Sequence, residues 1–312
     1  MSEINSMQII EKKKFKISFS QYSAYLNCQH RWYLQYVLRF PGEESPEFLF
    51  GTVVHGTIET IIKNKVLKKM YLRDKLGTLN SITRGIFNEE FAKINDATLI
   101  KRIKNEKLDI FFPAAAKKLL LELDFFTRFI DYDVVSVEFK LNDLIIFSNN
   151  EVEILFKGYI DLILKKKGEE KYLILDWKTS GKKWDIDKKI EDNKNFYTQL
   201  ILYKYFYSSI NNIPLENIDV AFYNLPRDNE KGQLIYAKDF SNDYVNEFVN
   251  NFKNKCFEIF QHKEIMNDYS KIKFITSKNW CSRCQFNNEE MCNNLDEFQK
   301  VLPPLEEKKT EK

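Results

Sequence analysis

Apolar residues recur at helical spacing through the first part of the chain. The segment SFSQYSAYLNCQHRWYLQYVL shows this period, with Ser20 as the expected N-cap. The segment FLFGTVVHGTIETIIKNKVLKKM predicts a second helix. PAAAKKLLLELDFFTRFI predicts another that starts at Pro113, because proline is tolerated in the first turn. The pattern therefore predicts a polar leader over residues 1–16 and a helical region over residues 17–130.

Short β-prone runs replace the helical pattern after Asp133. The runs VVSVEFKL, LIIFSN, VEILFKGYIDLILK and YLILDWKTS predict strands, and the polar KKKGEEK predicts a hairpin connection between the last two. NFYTQLILYKYFYSSI then predicts a helix, VAFYNLP and QLIYAKDF predict two more strands, and residues 241–262 predict an amphipathic helix. We predict a core over residues 131–240, a C-terminal helix and cysteine segment over 241–300 and a charged tail over 301–312, with 17–300 as one integrated domain.

This order of elements favours an α/β fold with a small central mixed β-sheet flanked by helices, an N-terminal helical elaboration and a C-terminal cysteine cluster. The composition agrees, because 44% hydrophobic and 15% aromatic residues among 312 can fill a core and argue against disorder. The net charge of +3 does not by itself indicate a nucleic-acid partner, so any such surface must be local.

Several functional classes are disfavoured by what the sequence lacks. There is no run of about 18 apolar residues, no apolar signal-peptide region and no G-x-x-x-x-G-K-S/T motif. We therefore predict a cytoplasmic protein with no membrane partner and no P-loop motor. Because structural disulfides are rare in that reducing compartment, its five cysteines need another explanation.

Two aspartates stand within apolar, β-prone runs, in Gly158-Tyr-Ile-Asp161 and Asp176-Trp-Lys178. Two carboxylates that converge in a buried sheet repel each other unless a cation lies between them, and Mg²⁺ or Mn²⁺ suits such oxygen ligands. Lys178 shares a strand face with Asp176, so carboxylates, metal and ammonium on one face can perform hydrolysis. The alternative is that both aspartates cap strand ends and Lys178 is a solvated surface lysine.

Further polar candidates precede and follow this pair. His55 and Glu59 lie one helical turn apart, and Gln199 and Tyr203 are i and i+4 on a predicted helix. In this order the residues resemble the RecB-like branch of the PD-(D/E)XK nucleases, which includes the AddB nuclease domain and the CRISPR-associated Cas-four exonucleases. The resemblance covers roughly residues 17–295 and implies a restriction-endonuclease-like core.

The resemblance also implies roles for individual residues in phosphodiester hydrolysis. The implied Mg²⁺ or Mn²⁺ ligands are three side chains and one main-chain oxygen: His55, Asp161, Asp176 and the backbone carbonyl of Trp177. Lys178 would help to activate the attacking water. Gln199 and Tyr203 would brace the site or contact the DNA backbone, with plain packing as the alternative, and Glu59 would support the same face as the histidine. Glu138 is either a further acidic neighbour or a solvated strand residue.

The C-terminal cysteine cluster has the spacing C-x₂-C-x₇-C: Cys281, Cys284 and Cys292. Three thiols are one short of a tetrahedral site, and Cys28 or Cys256 could supply the fourth. The resemblance favours Cys28, because it implies a 4Fe–4S cluster held by one N-terminal and three C-terminal cysteines. Cys256 is then an ordinary buried thiol. Two departures from the family leave zinc, or no metal, as alternatives. Gln29 stands where the family commonly has proline, and the C-x₇-C spacing from Cys284 to Cys292 is two residues longer than the C-x₅-C spacing associated with AddB.

The sequence therefore predicts a metal-dependent DNA nuclease, an exonuclease or end-processing enzyme that prefers DNA ends or single strands, with a structural 4Fe–4S cluster. Trp32 and Tyr203 are the aromatic residues expected to stack on bases. The alternatives are a DNA-binding accessory module with a vestigial nuclease site and a site-specific endonuclease of the same superfamily, although no separate recognition domain is visible. The resemblance also points to a helicase or a recombination or adaptation protein as a partner.

Overall fold

The computed structural model describes residues 12–40, 45–192, 195–227, 231–237 and 240–265, together with Cys281, Cys284 and Phe286. The chain divides into two compact units, each assembled from segments that are distant in the sequence. These segments are residues 1–43, 142–158 and 250–312 for the first unit, and residues 44–141 and 159–249 for the second. In the described part of the chain, no helix combines the length and apolar character needed to cross a membrane.

The first unit begins with four short elements. These are β1 (Lys13–Ser18), α1 (Phe19–Asn27), α2 (Gln29–Trp32) and a π-helical turn (Tyr33–Val37). β1 pairs in parallel with the first part of β3 (Val152–Lys166), from Lys13 opposite Val152 to Ser18 opposite Lys157. The end of the segment that the sequence assigned to a polar leader is therefore part of a strand.

The first predicted helix is interrupted at Cys28. The N-cap of α1 is Ser18 rather than Ser20, because the Ser18 hydroxyl accepts the Gln21 N–H at 3.2 Å. Cys28 has an extended backbone that ends α1, and its Sγ accepts the Arg31 N–H at 3.5 Å at the start of α2. Helical periodicity therefore identified the segment correctly but not its breaks, which backbone capping determines.

The helical part of the second unit comprises α3 (Pro46–Lys63), α4 (Lys65–Arg73), α5 (Lys75–Phe91), α6 (Ala97–Asn105), α7 (Leu108–Leu123) and α8 (Phe125–Arg128). The predicted second helix is split, because the Asn64 side chain accepts the N–H groups of Val66 and Leu67 and starts α4. Pro113 lies inside α7, not in its first turn, so that prediction was wrong: the helix begins five residues earlier, after Lys107 in a left-handed conformation.

The strands after the helical part are β2 (Tyr132–Ser148), β3, β4 (Tyr172–Ser180), β5 (Ile218–Pro226) and β6 (Gln233–Tyr236). β2 pairs with β3, β3 is antiparallel to β4, β4 is parallel to β5, and β5 is antiparallel to β6. This mixed sheet with flanking helices confirms the predicted α/β, restriction-endonuclease-like fold. VVSVEFKL and LIIFSN form one strand rather than two, with positive φ at Glu138 and Asp143 inside it.

The connections of the sheet follow from local chemistry. Gly168, at φ +75°, allows the tight β3–β4 hairpin that the sequence predicted, closed by a 2.8 Å bond from Lys166 N to Lys171 O. The parallel pair β4 and β5 needs a crossover, and α9 (Ile186–Asp192), α10 (Thr198–Asn211) and a 3₁₀ turn (Leu215–Asn217) lie along it. α11 (Asn242–Ile265) confirms the predicted amphipathic helix.

The two faces of β4 have different environments, because one of them is buried in the core of the second unit. Leu173, Leu175 and Trp177 are buried in one apolar cluster with Val54 of α3 and Ala116 of α7. Because successive strand residues point to opposite faces, Asp176 and Lys178 lie on the other side of the strand. The apolar residues therefore anchor β4 while its polar residues remain available for chemistry.

Candidate active site

Asp161 on β3 and Asp176 on β4 lie on neighbouring antiparallel strands, and the peptide of Trp177 connects the first of them to α3. Asp161 Oδ2 accepts a hydrogen bond from Trp177 N at 2.8 Å. The His55 ring lies with Nδ1 3.7 Å from the same oxygen and forms a hydrogen bond to the Trp177 backbone. The structure thus brings His55, Asp161 and Trp177 into contact although 106 positions separate the first two in the sequence.

A close approach between α3 and β4 brings the histidine to this point. Ser45 caps the start of α3 by accepting a backbone N–H at 3.2 Å. At Gly51, a Cβ atom would lie 3.1 Å from Thr179 Oγ1 of β4, so the helix passes close to the strand and any side chain there would require Thr179 to shift. His55 follows Gly51 by four residues and lies on the same side of the helix.

Asp176 and Lys178 form the centre of the site on β4. The Asp176 side chain is only 3% exposed, and its Oδ2 lies 2.6 Å from Lys178 Nζ. This contact lacks the angles of a hydrogen bond, so the buried Oδ2 has an ion-pair neighbour but no hydrogen-bond donor. A buried carboxylate oxygen left in this state is energetically costly, which is a common feature of functional sites.

Gln199 on α10 orients the lysine. Lys178 Nζ donates to Gln199 Oε1 at 3.0 Å, and Gln199 Nε2 donates to the Tyr203 hydroxyl at 2.8 Å. Tyr203 is buried, and burial raises the pKa of its hydroxyl. Because Tyr203 and Trp32 are both buried, the prediction that they stack on bases was wrong.

Burial and charge shift the pKa values of the acidic and imidazole groups in opposite directions. Burial, followed by the charge of Asp176, raises the pKa of Asp161 well above its usual range. Burial lowers the pKa of His55, and this outweighs the raising effect of the nearby carboxylates. The imidazole is therefore neutral at pH 7, which is the form that can bind a metal ion.

These groups fit a divalent cation in their chemistry. Two repelling carboxyl groups, a neutral imidazole and the donor-free Asp176 Oδ2 are stabilised by a positive charge at this point. Within the described ranges, no three His, Cys, Asp or Glu side chains already converge as a metal site. A bound ion would therefore have to draw these side chains closer together. The Trp177 carbonyl accepts the His55 hydrogen bond, so it would serve as a further ligand only after that bond is released.

Glu59 lies one turn beyond His55 and forms a cluster with Lys63 and Glu138. Lys63 Nζ is 3.4 Å from Glu59 Oε2 and 3.1 Å from Glu138 Oε2. Burial, then its hydrogen bond to Glu138, raises the pKa of Glu59 to about 7. For Glu138, burial raises the pKa, but hydrogen bonds from Glu59 and Lys63 lower it overall. Glu59 is therefore the member of this pair that binds a proton near neutral pH, while Glu138 stays ionised.

Sequence analysis missed a polar network on the neighbouring strand. Asn224, which pairs with Lys178 across β4 and β5, is fully buried and accepts a 2.7 Å bond from the Ser180 hydroxyl. Asn224 Nδ2 donates to Gln233 Oε1 at 3.1 Å, and the Gln233 amide also binds the backbone of Trp184. The available signal was a single polar residue in the apolar run VAFYNLP.

The described cysteines lie in the first unit. Cys28, Cys281 and Cys284 are half-buried, and the Cys284 N–H donates to the Cys281 carbonyl at 3.1 Å. Cys292 lies outside the described residues, so a four-cysteine site stays a prediction. Cys256 is completely buried, and burial raises the pKa of its thiol.

Comparison with known proteins places the chain in a family. A family model described as the PD-(D/E)XK nuclease superfamily matches residues 16–292, which is most of the chain. The chain belongs to the PD-(D/E)XK nuclease superfamily. Nucleases of this superfamily generally use Mg²⁺ or Mn²⁺, in agreement with the chemistry of the aspartate pair. No curated protein matches the chain by sequence.

A solved structure has a fold similar to that of this chain. The crystal structure of a protein from Eubacterium rectale, named "Putative exonuclease", is 14% identical to the chain, with a TM-score of 0.52. The alignment covers 92% of this chain and 93% of that protein. At this identity the similarity establishes the fold, and residue roles must be argued from the site itself.

Proposed function

We propose that the protein is a metal-dependent DNA nuclease that acts as an exonuclease or processes DNA ends. The observation that carries the proposal is the buried Asp176 Oδ2, which lies 2.6 Å from the Lys178 ammonium, has no well-aligned hydrogen-bond donor, and belongs to a carboxylate that raises the pKa of Asp161. A purely structural carboxylate would be expected to have hydrogen-bond donors. Because the chain belongs to a nuclease superfamily, we interpret this oxygen as a ligand for a catalytic metal ion.

The chain's own residues have distinct parts in the reaction. His55, Asp161, Asp176 and the Trp177 carbonyl would hold Mg²⁺ or Mn²⁺, whose chemical contribution is Lewis acidity toward the phosphate and a lower pKa of adjacent water. Lys178 Nζ offers positive charge to the developing charge on the phosphate, and Gln199 holds that ammonium in place.

Two other functions remain as alternatives. A DNA-binding module with a vestigial site would have no need to retain the lysine, its Gln199 partner and two buried aspartates together. A site-specific endonuclease would need a surface that recognises base sequence. The proposed exonuclease needs only an accessible end and contacts to the DNA backbone and bases.

Linear DNA and closed circular DNA should give opposite results with this protein. We expect end-labelled linear single- and double-stranded DNA to be degraded only when Mg²⁺ or Mn²⁺ is added, and a relaxed, covalently closed duplex to remain intact. Mn²⁺ should serve at least as well as Mg²⁺, because imidazole suits the softer ion better. Gel electrophoresis of both substrates over time measures the outcome.

The outcomes of this assay separate the three candidate functions. Efficient cutting of the closed circle would support an endonuclease instead. DNA binding without cleavage of any substrate would support the vestigial module. A helicase or a recombination or adaptation protein as partner is part of the exonuclease proposal, because such proteins supply ends or unpaired strands.

A structural 4Fe–4S cluster is the second part of the proposal, and its ligands would be four cysteines: Cys28, Cys281, Cys284 and Cys292. The three described members, Cys28, Cys281 and Cys284, belong to the same compact unit, which supports their use in one site. Asp161 and Asp176 are far from these cysteines in the sequence, so we assign the cluster no part in hydrolysis. A metal site that joins Cys28 to the C-terminal cysteines would close a loop of about 250 residues, which lowers the conformational entropy of the unfolded chain.

Anaerobically purified protein is expected to be brown and to contain about four irons per chain, as Cys₄ ligation of such a cluster requires. Cys284→Ser should remove the colour and the iron. Cys256→Ser is the matched control and should retain both, because that thiol is buried elsewhere. Metal analysis that finds one zinc per chain in colourless protein would replace the cluster with a zinc site and leave the nuclease proposal intact.

A further inference from the structure

A surface of aromatic rings begins beneath Lys178. Phe222, on β5, is buried, and Lys178 Nζ lies 5.4 Å from its ring centroid. Three further rings surround Phe222, at centroid distances of 5.2 Å for Phe196, 6.0 Å for Trp184 and 6.2 Å for Tyr197. These three side chains are partly exposed. Aromatic surface is therefore continuous with the proposed active site.

The aromatic surface continues away from Lys178. Tyr197 contacts Phe240 at 5.9 Å, and Phe240 is stacked on Tyr244 at 5.1 Å with an angle of 14° between the rings. Tyr244 is 45% exposed. The rings thus form a row that runs from the buried Phe222 outward to solvent.

Hydrogen bonds between Gln233 and the Trp184 backbone hold this tryptophan in the row. Gln233 Oε1 accepts the Trp184 N–H at 2.8 Å, and Gln233 Nε2 donates to the Trp184 carbonyl at 3.0 Å. Gln233 is itself bound to the buried Asn224, the strand partner of Lys178. The Trp184 backbone is therefore held by hydrogen bonds that lead through Gln233 to Asn224, the residue opposite Lys178 on the neighbouring strand. Such preorganisation is what a binding site for a ligand requires.

Lysines flank Trp184 on both sides in the sequence. Residues 181–192 contain four lysines and four acidic residues, so positive charge for a polyanion comes from individual lysines and not from the segment as a whole. The exposed Lys189, on α9, places its ammonium 5.1 Å from the Trp184 ring centroid. An ammonium over an exposed ring shows that cationic and aromatic contacts are available at the same point. Single-stranded nucleic acid offers both matching groups, phosphates and unstacked bases.

We propose that Trp184 and the adjoining rings of Phe196 and Tyr197 form a base-stacking subsite for single-stranded DNA, with Lys189 on the backbone phosphate. This inference rests on the proposed nuclease function and adds a substrate form to it. Bases in an intact duplex are already stacked on their neighbours, so the subsite favours an unpaired strand. The strand would reach Lys178 across Phe222, the ring that contacts both Lys178 and Trp184.

The test uses the full-length protein with Asp176→Asn, in EDTA, so that binding is measured without cleavage. Titration with an oligothymidylate should quench tryptophan emission, and Trp184→Phe should remove most of that quenching while retaining most of the affinity. Trp184→Ala should weaken binding by about 5- to 150-fold, the effect of losing one stacked base. Phe111→Ala is the matched control, an exposed aromatic on α7 that should change neither quantity.

Two comparisons distinguish stacking from a structural role. Trp184→Ala should weaken binding of the single strand much more than binding of a blunt duplex, and Lys189→Gln should lower the salt slope by about 0.7 while leaving quenching intact. Unchanged affinity in Trp184→Ala, or equal losses for single strand and duplex, would overturn the subsite. Because cleavage is not measured, that result leaves the nuclease proposal standing. A protein that binds oligothymidylate as expected but never cuts DNA would lose only the nuclease proposal.

Discussion

Replacing Asp176 by asparagine is expected to lower the rate of DNA cleavage by about 10³-fold or more, which corresponds to a loss of at least about 4 kcal/mol of transition-state stabilisation. Asparagine keeps the shape but removes the charge that attracts the cation and that faces the Lys178 ammonium at 2.6 Å. Single-turnover cleavage of end-labelled DNA at saturating Mn²⁺ measures the effect. Asp219→Asn is the matched control, because Asp219 is an exposed strand aspartate on β5.

The same substitution should not destabilise the metal-free protein. The Asp176 carboxylate is buried without a hydrogen-bond donor, and its charge raises the pKa of Asp161. Removing that charge relieves desolvation and the repulsion with Asp161, but it also ends the 2.6 Å ion pair with the part-exposed Lys178 ammonium, so the free energy of unfolding in EDTA should stay close to that of wild type. Thermal denaturation should also show that Mn²⁺ raises the Tm of wild type but not of Asp176→Asn. A variant that cleaves at the wild-type rate would refute the assignment of this residue.

Lys178→Met is expected to lower kcat by about 10²-fold, the size of effect seen when one group that stabilises developing charge is removed. Methionine retains the length of the apolar stem, so packing over Phe222 should persist and the Tm should change little. Lys101→Met is the matched control, since Lys101 is an exposed lysine on α6, outside the site and the aromatic surface.

Gln199→Ala separates the charge of the lysine from its position. It leaves the ammonium but removes the 3.0 Å hydrogen bond that orients it, so kcat should fall by about tenfold, the worth of one hydrogen bond to a charged group. Cleavage kinetics of Lys178→Met, Gln199→Ala and the double variant measure the coupling. Equal losses in the three proteins would mean that the lysine acts only in the orientation set by Gln199, whereas no loss in Lys178→Met would remove it from the mechanism.

The sequence predicted the strands and the helix that carry the site, because strand alternation and helical spacing can be recognised within a few neighbouring residues. Alternating burial places Asp176 and Lys178 on one strand face, and helical spacing places Gln199 and Tyr203 one turn apart. Both relations depend only on backbone geometry. The hairpin at Gly168 follows in the same way from the residues of its own turn.

Element boundaries were less predictable from the same patterns. Asn64 interrupts an apolar period that continues across it, because its side chain satisfies two backbone N–H groups at the start of α4. Pro113 is accommodated inside α7 after an early helix start at Leu108. In both cases a hydrogen bond or a backbone conformation outside the apolar pattern decided the boundary.

The sequence by itself determined the α/β fold class, the order of the acidic motifs and their likeness to a nuclease superfamily, because these depend on local periodicity and on residue order. Only the tertiary structure brought His55 near Asp161 and placed Trp184 against Phe222, the ring that Lys178 also contacts. The first contact depends on the close approach of α3 to β4 at Gly51, and the second depends on a buried amide network that starts on β5. Neither approach is encoded in the spacing of the residues concerned, because packing between distant segments sets the distance between their side chains.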